Sequence, residues 1–418
     1  MTRIAIIGAG PIGLEAALLA RRAGFQVAVI EKGRVAENIL DWGHVRLFTP
    51  FAMNSSEQGR EAVAKAFGGV SLPRDDELLT GREFAERYLI LLSRVPELAG
   101  CIREQCEVLS ISRQRFGKTD GIGQRARAAD PFQLLLRRTQ NIGHDEFMTT
   151  ADVVLDCSGT YPHHNWIGAG GQRCPLESYL LEEDDYRIVP ITPGRFANQT
   201  TLVIGAGYSA ATAVIELAEL AKGHPRTKTI WLTRPLPDGS QREMPIKRIA
   251  NDSLLERDRI AQRANELVRH GEPSVRWCRN SQIIGLDRQT ENEFRITIEQ
   301  QSSEPTAEQG SESLQRTKLI VNQLIANVGY RPDRSLYEEL HIHECYATQG
   351  PIKLAAKLLG ETSPDCLAQT SHGCDVLKNP EPNFFILGSK SYGRNSNFLL
   401  RTGIEQVREA MTLIVSGP

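Results

Sequence analysis

Residues 4–31, IAIIGAGPIGLEAALLARRAGFQVAVIE, decide the fold class. An apolar run, Ile4 to Ile7, meets Gly8-x-Gly10-x-x-Gly13. A helical stretch follows, and a second apolar run, Val27 to Ile30, ends in Glu31. In a βαβ unit of this kind Gly8 permits the tight turn, Gly10 lets a pyrophosphate reach the backbone, and Gly13 lets helix and strand pack closely. The helix N-terminus then offers unpaired N–H groups and the positive end of its dipole to the phosphates. Glu31 stands 31 − 13 = 18 residues past the last glycine, the distance at which a carboxylate grips ribose hydroxyls. The glycines alone are a weak signal. Strand, helix, second strand and terminal acid agree, so the stretch reads as a dinucleotide site.

The pattern recurs. Residues 201–210, TLVIGAGYSA, give an apolar run and Gly205-x-Gly207-x-x-Ala210, followed by a helical stretch over Ala211–Leu220 and a strand over Thr229–Leu232 that ends at Thr233-Arg234. Where the first site ends in Glu31, the second ends in a cation. Arg234 suits a 2′-phosphate through a planar, charge-assisted contact, which favours NADP over NAD; the bland alternative is a solvated surface arginine. Each βαβ unit is followed by two alternating runs, Cys106–Ser112 with Phe132–Arg138 and Gln282–Asp287 with Phe294–Glu299, separated by or leading into loose polar segments. A buried strand ending in glycine closes each half: Ala151–Ser158 into Gly159, and Lys318–Asn327 into Gly329. The expected architecture is therefore α/β, with two Rossmann-like dinucleotide-binding domains, one inserted in the other. The boundaries are 1–165 with 325–418 for the outer domain and 195–324 for the inner one. A charged insert over 235–270 has its clearest helix in SLLERDRIAQRANELVRH. It reads as a solvated helix face, with a substrate entrance or a homo-oligomer interface as alternatives.

Composition sets the outer limits. At 418 residues the chain has length for two or three domains. A net charge of −2 gives no electrostatic footprint for nucleic acid or an anionic membrane. No apolar run reaches the roughly 18 residues of a membrane span. Met1-Thr2-Arg3 leads straight into the first strand, so no signal peptide is expected. A cytoplasmic location follows, with the eight cysteines reduced, and the Asn-x-Ser/Thr matches at Asn54, Asn198 and Asn251 are chance. No metal site is expected, and Cys366 and Cys374, with only His372 near them in sequence, read as structural.

Near the C-terminus, Asn383–Leu387 (NFFIL) runs into Gly388, and the loop SKSYGRNSNF leads to a helix over about Thr402–Val415. With the two glycine fingerprints and the strand-glycine motifs at Gly159 and Gly329, this resembles the two-dinucleotide-binding-domain flavoproteins. That group contains flavin-containing, N-hydroxylating and Baeyer–Villiger monooxygenases, and the pyridine nucleotide-disulfide reductases. The resemblance covers most of the chain. It implies FAD on Gly8, Gly10, Gly13 and Glu31, NADPH on Gly205, Gly207, Ala210 and Arg234, and a flavin ribityl chain near Gly388. One position departs: the family usually has Asp after this last glycine, and here it is Ser389.

The redox-active groups bear on the branch. Cys278 stands alone in the second domain, and Cys101-x4-Cys106 lies at the entry to the first meander, away from where reductases of the group place their reactive pair. Both read as small buried hydrophobes. The segment DWGHVRLFTPFAMNSSEQG carries His44, Arg46 and Asn54, and Asn54-Ser55-Ser56 looks like the stretch that flavin-containing monooxygenases hold near the isoalloxazine. Arg46 and Asn54 are the candidate donors there; the alternative is a surface loop in which Asn54 and Ser55 cap a helix. The monooxygenase motif FxGxxxHxxxW/F is missing from the linker, where His163, His164 and Trp166 lack its spacing. The paired histidines read as a polar loop. The resemblance thus implies an FAD enzyme drawing hydride from NADPH and hydroxylating a small molecule with oxygen through a flavin C4a-peroxide. The alternatives are an NAD(P)H-dependent reductase or dehydrogenase, and a flavin-bound sensor.

Overall fold

The computed structural model describes residues 1–140, 145–238, 240, 242–301, 314–360, 367 and 371–416. It divides into two compact units, Met1–His163 with Tyr330–Pro418, and His164–Gly329.

In the first unit β1 (Arg3–Ile7) and β2 (Gln26–Ile30) lie parallel, joined by the helix Pro11–Arg22. Pro11 opens that helix at its first turn, where the missing N–H costs nothing. The alanine- and leucine-rich body buries Leu14, Ala16, Ala17 and Leu18 completely. Helices fill the segment after β2, including the short turn Phe51–Asn54 and the helix Glu57–Ala66. Then come β3 (Ile102–Arg103), the antiparallel meander β4 (Cys106–Arg113), β5 (Phe132–Arg138) and β6 (Glu146–Ala151), and finally β7 (Val153–Asp156).

The second unit repeats this plan. β8 (Thr200–Ile204), the helix Tyr208–Gly223 and β9 (Lys228–Leu232) form the βαβ unit. The helix Leu255–Arg269 crosses to β10 (Val275–Cys278), parallel beside β9. β11 (Ser281–Thr290), β12 (Glu293–Gln301) and β13 (Leu314–Val321) form the meander, and β14 (Gln323–Ala326) returns parallel to β8. Most of the polar stretch that joins β12 to β13 lies outside the described residues, as does Cys366. The chain then re-enters the first unit and adds β15 (Phe384–Ile386), parallel to β7, before the helix Leu400–Ser416.

The main sheets run β15-β7-β1-β2-β3 and β10-β9-β8-β14. The middles of their strands are mostly apolar because both faces of a parallel sheet are covered; Ile4, Ile6, Val29, Val154 and Leu155 are at most 1% exposed. Strand order reverses between β1 and β7, and again between β8 and β14. Ligand crevices in such sheets open at these switch points, beyond the carboxyl ends of the strands.

The α/β class holds, and three expectations are corrected or refined in detail. Lys318–Asn327 is not one strand: it splits at Asn322, whose side-chain oxygen accepts the Thr200 N–H at 3.0 Å and turns the chain from the meander into the parallel sheet. The helix of the charged insert, Leu255–Arg269, keeps a solvated face, with Arg259 and Arg263 exposed, and is also the crossover of a further βαβ unit. Its inner face buries Ala261 and Ala264, and its buried Arg257 is matched by Asp252 at 2.6 Å. The loose polar segment between β4 and β5, GKTDGIGQRARAAD, is partly ordered. It holds a short helix, Arg125–Ala129, whose Arg127 is buried against Glu381 at 2.7 Å, a carboxylate shared with buried Arg113.

Candidate dinucleotide-binding sites

Three glycines of the first unit stand at the carboxyl ends of adjacent parallel strands: Gly8 after β1, Gly159 after β7 and Gly388 after β15. All three have left-handed φ, +95°, +73° and +72°, a region open at little cost only to glycine. A Cβ on Gly13 would lie 1.9 Å from the Gly8 carbonyl oxygen, so the helix can pack on its turn only without a side chain. A Cβ on Gly10 would meet nothing within 4 Å. Close packing therefore explains Gly13 but not Gly10, whose φ of −81° suits any residue. Open space above Gly10, beside the free N–H groups of a helix start, is what a pyrophosphate requires.

Glu31 ties this cradle together. One carboxylate oxygen accepts the Ala9 N–H at 2.7 Å and the other accepts the Gly33 N–H at 2.8 Å. Burial pushes its pKa up, opposed by those two hydrogen bonds.

The second unit reproduces the geometry. Gly205 has φ +136° and a Cβ there would lie 2.4 Å from the Asn327 carbonyl oxygen; Gly329 has φ +80°. A Cβ on Gly207, like one on Gly10, would meet nothing within 4 Å. Ala210 is fully buried at the position equivalent to Gly13. Arg234 is exposed just past β9, and Arg242, which the sequence pattern did not single out, donates through Nε to the Arg234 carbonyl at 3.0 Å. Burial lowers the Arg242 pKa and the charge of Arg234 lowers it further.

Two buried acceptors mark places where a ligand donor would be welcome. Thr402 Oγ1, in the first turn of the C-terminal helix, and Asn327 Oδ1, just beyond β14, have no hydrogen-bond partner among the described residues. Such groups are uncommon in folded proteins. On these observations each unit fits a dinucleotide.

The Asn54 segment is placed differently from a surface loop. Asn54, Ser55 and Ser56 are all buried. The Asn54 amide donates to the Thr49 carbonyl at 3.0 Å while its oxygen accepts from the Thr49 hydroxyl at 2.7 Å. The helix cap is Ser56, accepting the Gly59 N–H at 2.8 Å, rather than Asn54 or Ser55. Ser56 is in turn held by Glu15, a buried carboxylate on the fingerprint helix. Glu15 accepts the Ser56 N–H at 3.0 Å, the Ser56 hydroxyl at 2.6 Å and the Tyr88 hydroxyl at 2.6 Å. A charged residue on the apolar face of that helix was the one available hint of this tether. Arg46 is exposed and donates to the Leu78 carbonyl. In the linker, His163 lies 3.5 Å from Asp333, and His164 stacks on Tyr186 with centroids 3.5 Å apart.

The seven described cysteines are all free. Burial raises the thiol pKa of Cys157, beside the Gly8 turn, and of Cys106 and Cys278, which disfavours reactive thiolates there. Among the described residues no group of His, Cys, Asp and Glu is arranged to hold a metal ion, and no helix is long and apolar enough to cross a membrane.

Residues 5–119 match the family model described as pyridine nucleotide-disulphide oxidoreductase. Along its whole length the chain superposes on solved structures of related architecture. Its fold is that of the two-dinucleotide-binding-domain flavoproteins. The bacillithiol disulfide reductase Bdr (YpdA) from Bacillus cereus is 18% identical, with 99% of each chain covered and a TM-score of 0.66. Thioredoxin reductase from T. acidophilum is 15% identical, with 100% of this chain and 99% of that one covered and a TM-score of 0.55. DfoA from Erwinia amylovora, a cadaverine monooxygenase of desferrioxamine biosynthesis solved with FAD bound, is 15% identical, covers 99% and 95% of the two chains, and has a TM-score of 0.56. No curated protein matches in sequence.

Proposed function

We propose that this chain is an FAD-dependent oxidoreductase that draws hydride from NADPH and uses oxygen to hydroxylate a small molecule. Gly8, Gly10, Gly13 and Glu31 would hold the adenosine diphosphate half of FAD, with Gly159, Gly388 and Ser389 along its ribityl side. Gly205, Gly207 and Ala210 would seat NADPH, Arg234 and Arg242 taking its 2′-phosphate. The bound flavin supplies the redox chemistry, accepting hydride and passing electrons on. The protein supplies position and shelter from water.

The observation that carries the oxygen reading is the Glu15 tether. A buried carboxylate holds Ser56, at the end of the Asn54–Ser56 segment, to the helix of the first glycine fingerprint through two hydrogen bonds and takes a third from Tyr88. A rigid, water-poor segment with few donors is what controlled oxygen chemistry needs and what simple electron transfer does not. A reductase is the second reading. It is favoured by the partners that Asn54 and Arg46 already have within the protein, Thr49 and the Leu78 carbonyl.

The test measures NADPH oxidised, oxygen consumed and hydrogen peroxide released by the flavin-loaded protein against a panel of small amines, ketones and sulfides. Hydroxylation predicts that one compound suppresses peroxide while oxygen uptake continues, with a product heavier by one oxygen. Oxygen uptake matched by peroxide for every compound would leave the reductase reading in its place.

A further inference from the structure

We propose that the buried Asp156–Lys390 ion pair is a clamp that holds the Gly159 and Gly388 turns in flavin-binding position and so sets how tightly FAD is retained. The proposal rests on the reading that FAD occupies the first unit. Both side chains are 0% exposed, with Lys390 Nζ 2.6 Å from Asp156 Oδ2. The ammonium also donates to Ser158 Oγ at 3.0 Å and stands 5.1 Å from the centroid of the Tyr337 ring. The other oxygen of Asp156 accepts the Ser158 hydroxyl at 2.6 Å and the Ser158 N–H at 3.1 Å. Every group in the cluster is satisfied.

Its position gives it a job. Asp156 ends β7 and Ser158 immediately precedes Gly159; Lys390 lies in the short turn Gly388–Tyr392 that begins where β15 stops. The backbone ladder between these strands reaches Leu387 N–H donating to the Asp156 carbonyl at 2.9 Å. Beyond it both chains enter left-handed glycine turns, and the Lys390 ammonium is what joins one turn to the other. The turns face each other closely: a Cβ on Gly159 would lie 3.5 Å from Ser389 Oγ.

Stability alone is a poor reason for such a pair. Taking a lysine and an aspartate out of water carries a heavy desolvation cost, and well-packed apolar residues in their place are often as stable or more so. What a charged pair adds is a defined geometry, here between two segments 234 residues apart in sequence. A cradle that meets its ligand through fixed backbone groups loses affinity when those groups wander by a fraction of an ångström. Ser389 stands where the family has its aspartate, and the clamp one residue later fixes that turn from within the protein.

The experiment is a double-mutant cycle on the full chain, Asp156→Asn, Lys390→Met and both together. The thermal midpoint of the flavin-stripped protein and the FAD dissociation constant are measured in parallel. Each single variant leaves a buried charge without its partner, and both its midpoint and its FAD affinity should fall. The double variant should regain most of the apoprotein midpoint yet bind FAD at least tenfold more weakly than wild type. Wild-type FAD affinity in the double variant would overturn the clamp, because the pair would then serve the fold only. If the double variant does not fold, Lys390→Arg replaces it: the clamp predicts tighter FAD binding than in Lys390→Met, and equal weakness overturns it. A wild-type chain that binds no FAD would overturn the flavin reading and the clamp with it.

Discussion

Gly10→Val separates a glycine kept for a ligand from one kept for the fold. At Gly10 a Cβ meets nothing within 4 Å, and the φ of −81° with ψ of −173° is extended backbone open to valine. The fold loses a helix-capping glycine for a poorer cap, offset by a less flexible unfolded chain. The net change is within about 1 kcal/mol, or about 2–4 °C in the midpoint of a unit this size. The flavin fares differently, because the valine methyls stand in the space a pyrophosphate would fill. Overpacking a close contact costs about 1–3 kcal/mol or more, roughly 5- to 150-fold in affinity. Gly13→Val is the control: its Cβ would lie 1.9 Å from a backbone oxygen, so that variant should be insoluble or strongly destabilised. The assay is flavin-to-protein absorbance after gel filtration, FAD titration by fluorescence, and thermal unfolding of the apoprotein by circular dichroism. Gly10→Val should be folded and colourless. A folded Gly10→Val protein with the wild-type FAD dissociation constant would refute the placement. A Gly10→Val protein as damaged as Gly13→Val would refute the argument from open space.

Two more predictions follow from the same structure. Arg234→Ala and Arg242→Ala should each raise the NADPH KM about tenfold or more while leaving the NADH KM nearly alone, since a charge-assisted contact to phosphate contributes about 1.5–3 kcal/mol; equal effects on both cofactors would make the two arginines plain surface residues. Burial tends to raise the Glu381 pKa, but hydrogen bonds from Arg127, the His341 N–H and Arg113 outweigh it and hold it below the ordinary 4.5. A depressed carboxylate adds stability above its unfolded value and loses it as pH falls through the folded one. Glu381→Gln should therefore cost about 3–5 kcal/mol near neutral pH, with the gap in thermal midpoint to wild type narrowing below about pH 4; an unchanged gap would refute the assignment.

Local sequence carried much of this architecture. Ile4–Glu31 and Thr201–Leu232 are units in which period, glycine spacing and strand composition agree, so both βαβ folds are legible in the sequence. The failures have physical causes. Lys318–Asn327 holds two apolar runs, Leu319–Val321 and Leu324–Ala326, close enough to read as one strand, and no local signal shows that Asn322 between them hands the chain from one sheet to another through a bond to Thr200. The segment around Arg257 looked solvated because the buried partner that neutralises it, Asp252, counts in sequence as one more charge. The burial of Arg127 has no local signal either, its carboxylate lying 254 residues away. Lys390 was invisible: a lone lysine in a polar loop is ordinarily in water, and only the fold brings Asp156 and Ser158 to it. Arg242 follows no spacing rule, eight residues past Arg234 and in neither helix nor strand.

The first unit is assembled from the two ends of the described chain, and this orders its synthesis on the ribosome. The inner unit, His164–Gly329, is one continuous segment and can fold as soon as it emerges. The outer unit cannot. Until β15 arrives, β7 is an open strand edge of fully apolar neighbours, Val154 and Leu155 among them, and Arg113 and Arg127 have no carboxylate to face. Unpaired edges of this kind are templates for pairing with other chains. The nascent protein therefore passes through a stage in which the amino-terminal part of the outer unit is made and not yet closed, and slow translation anywhere between β7 and β15 should lengthen that stage and raise the load on holding chaperones.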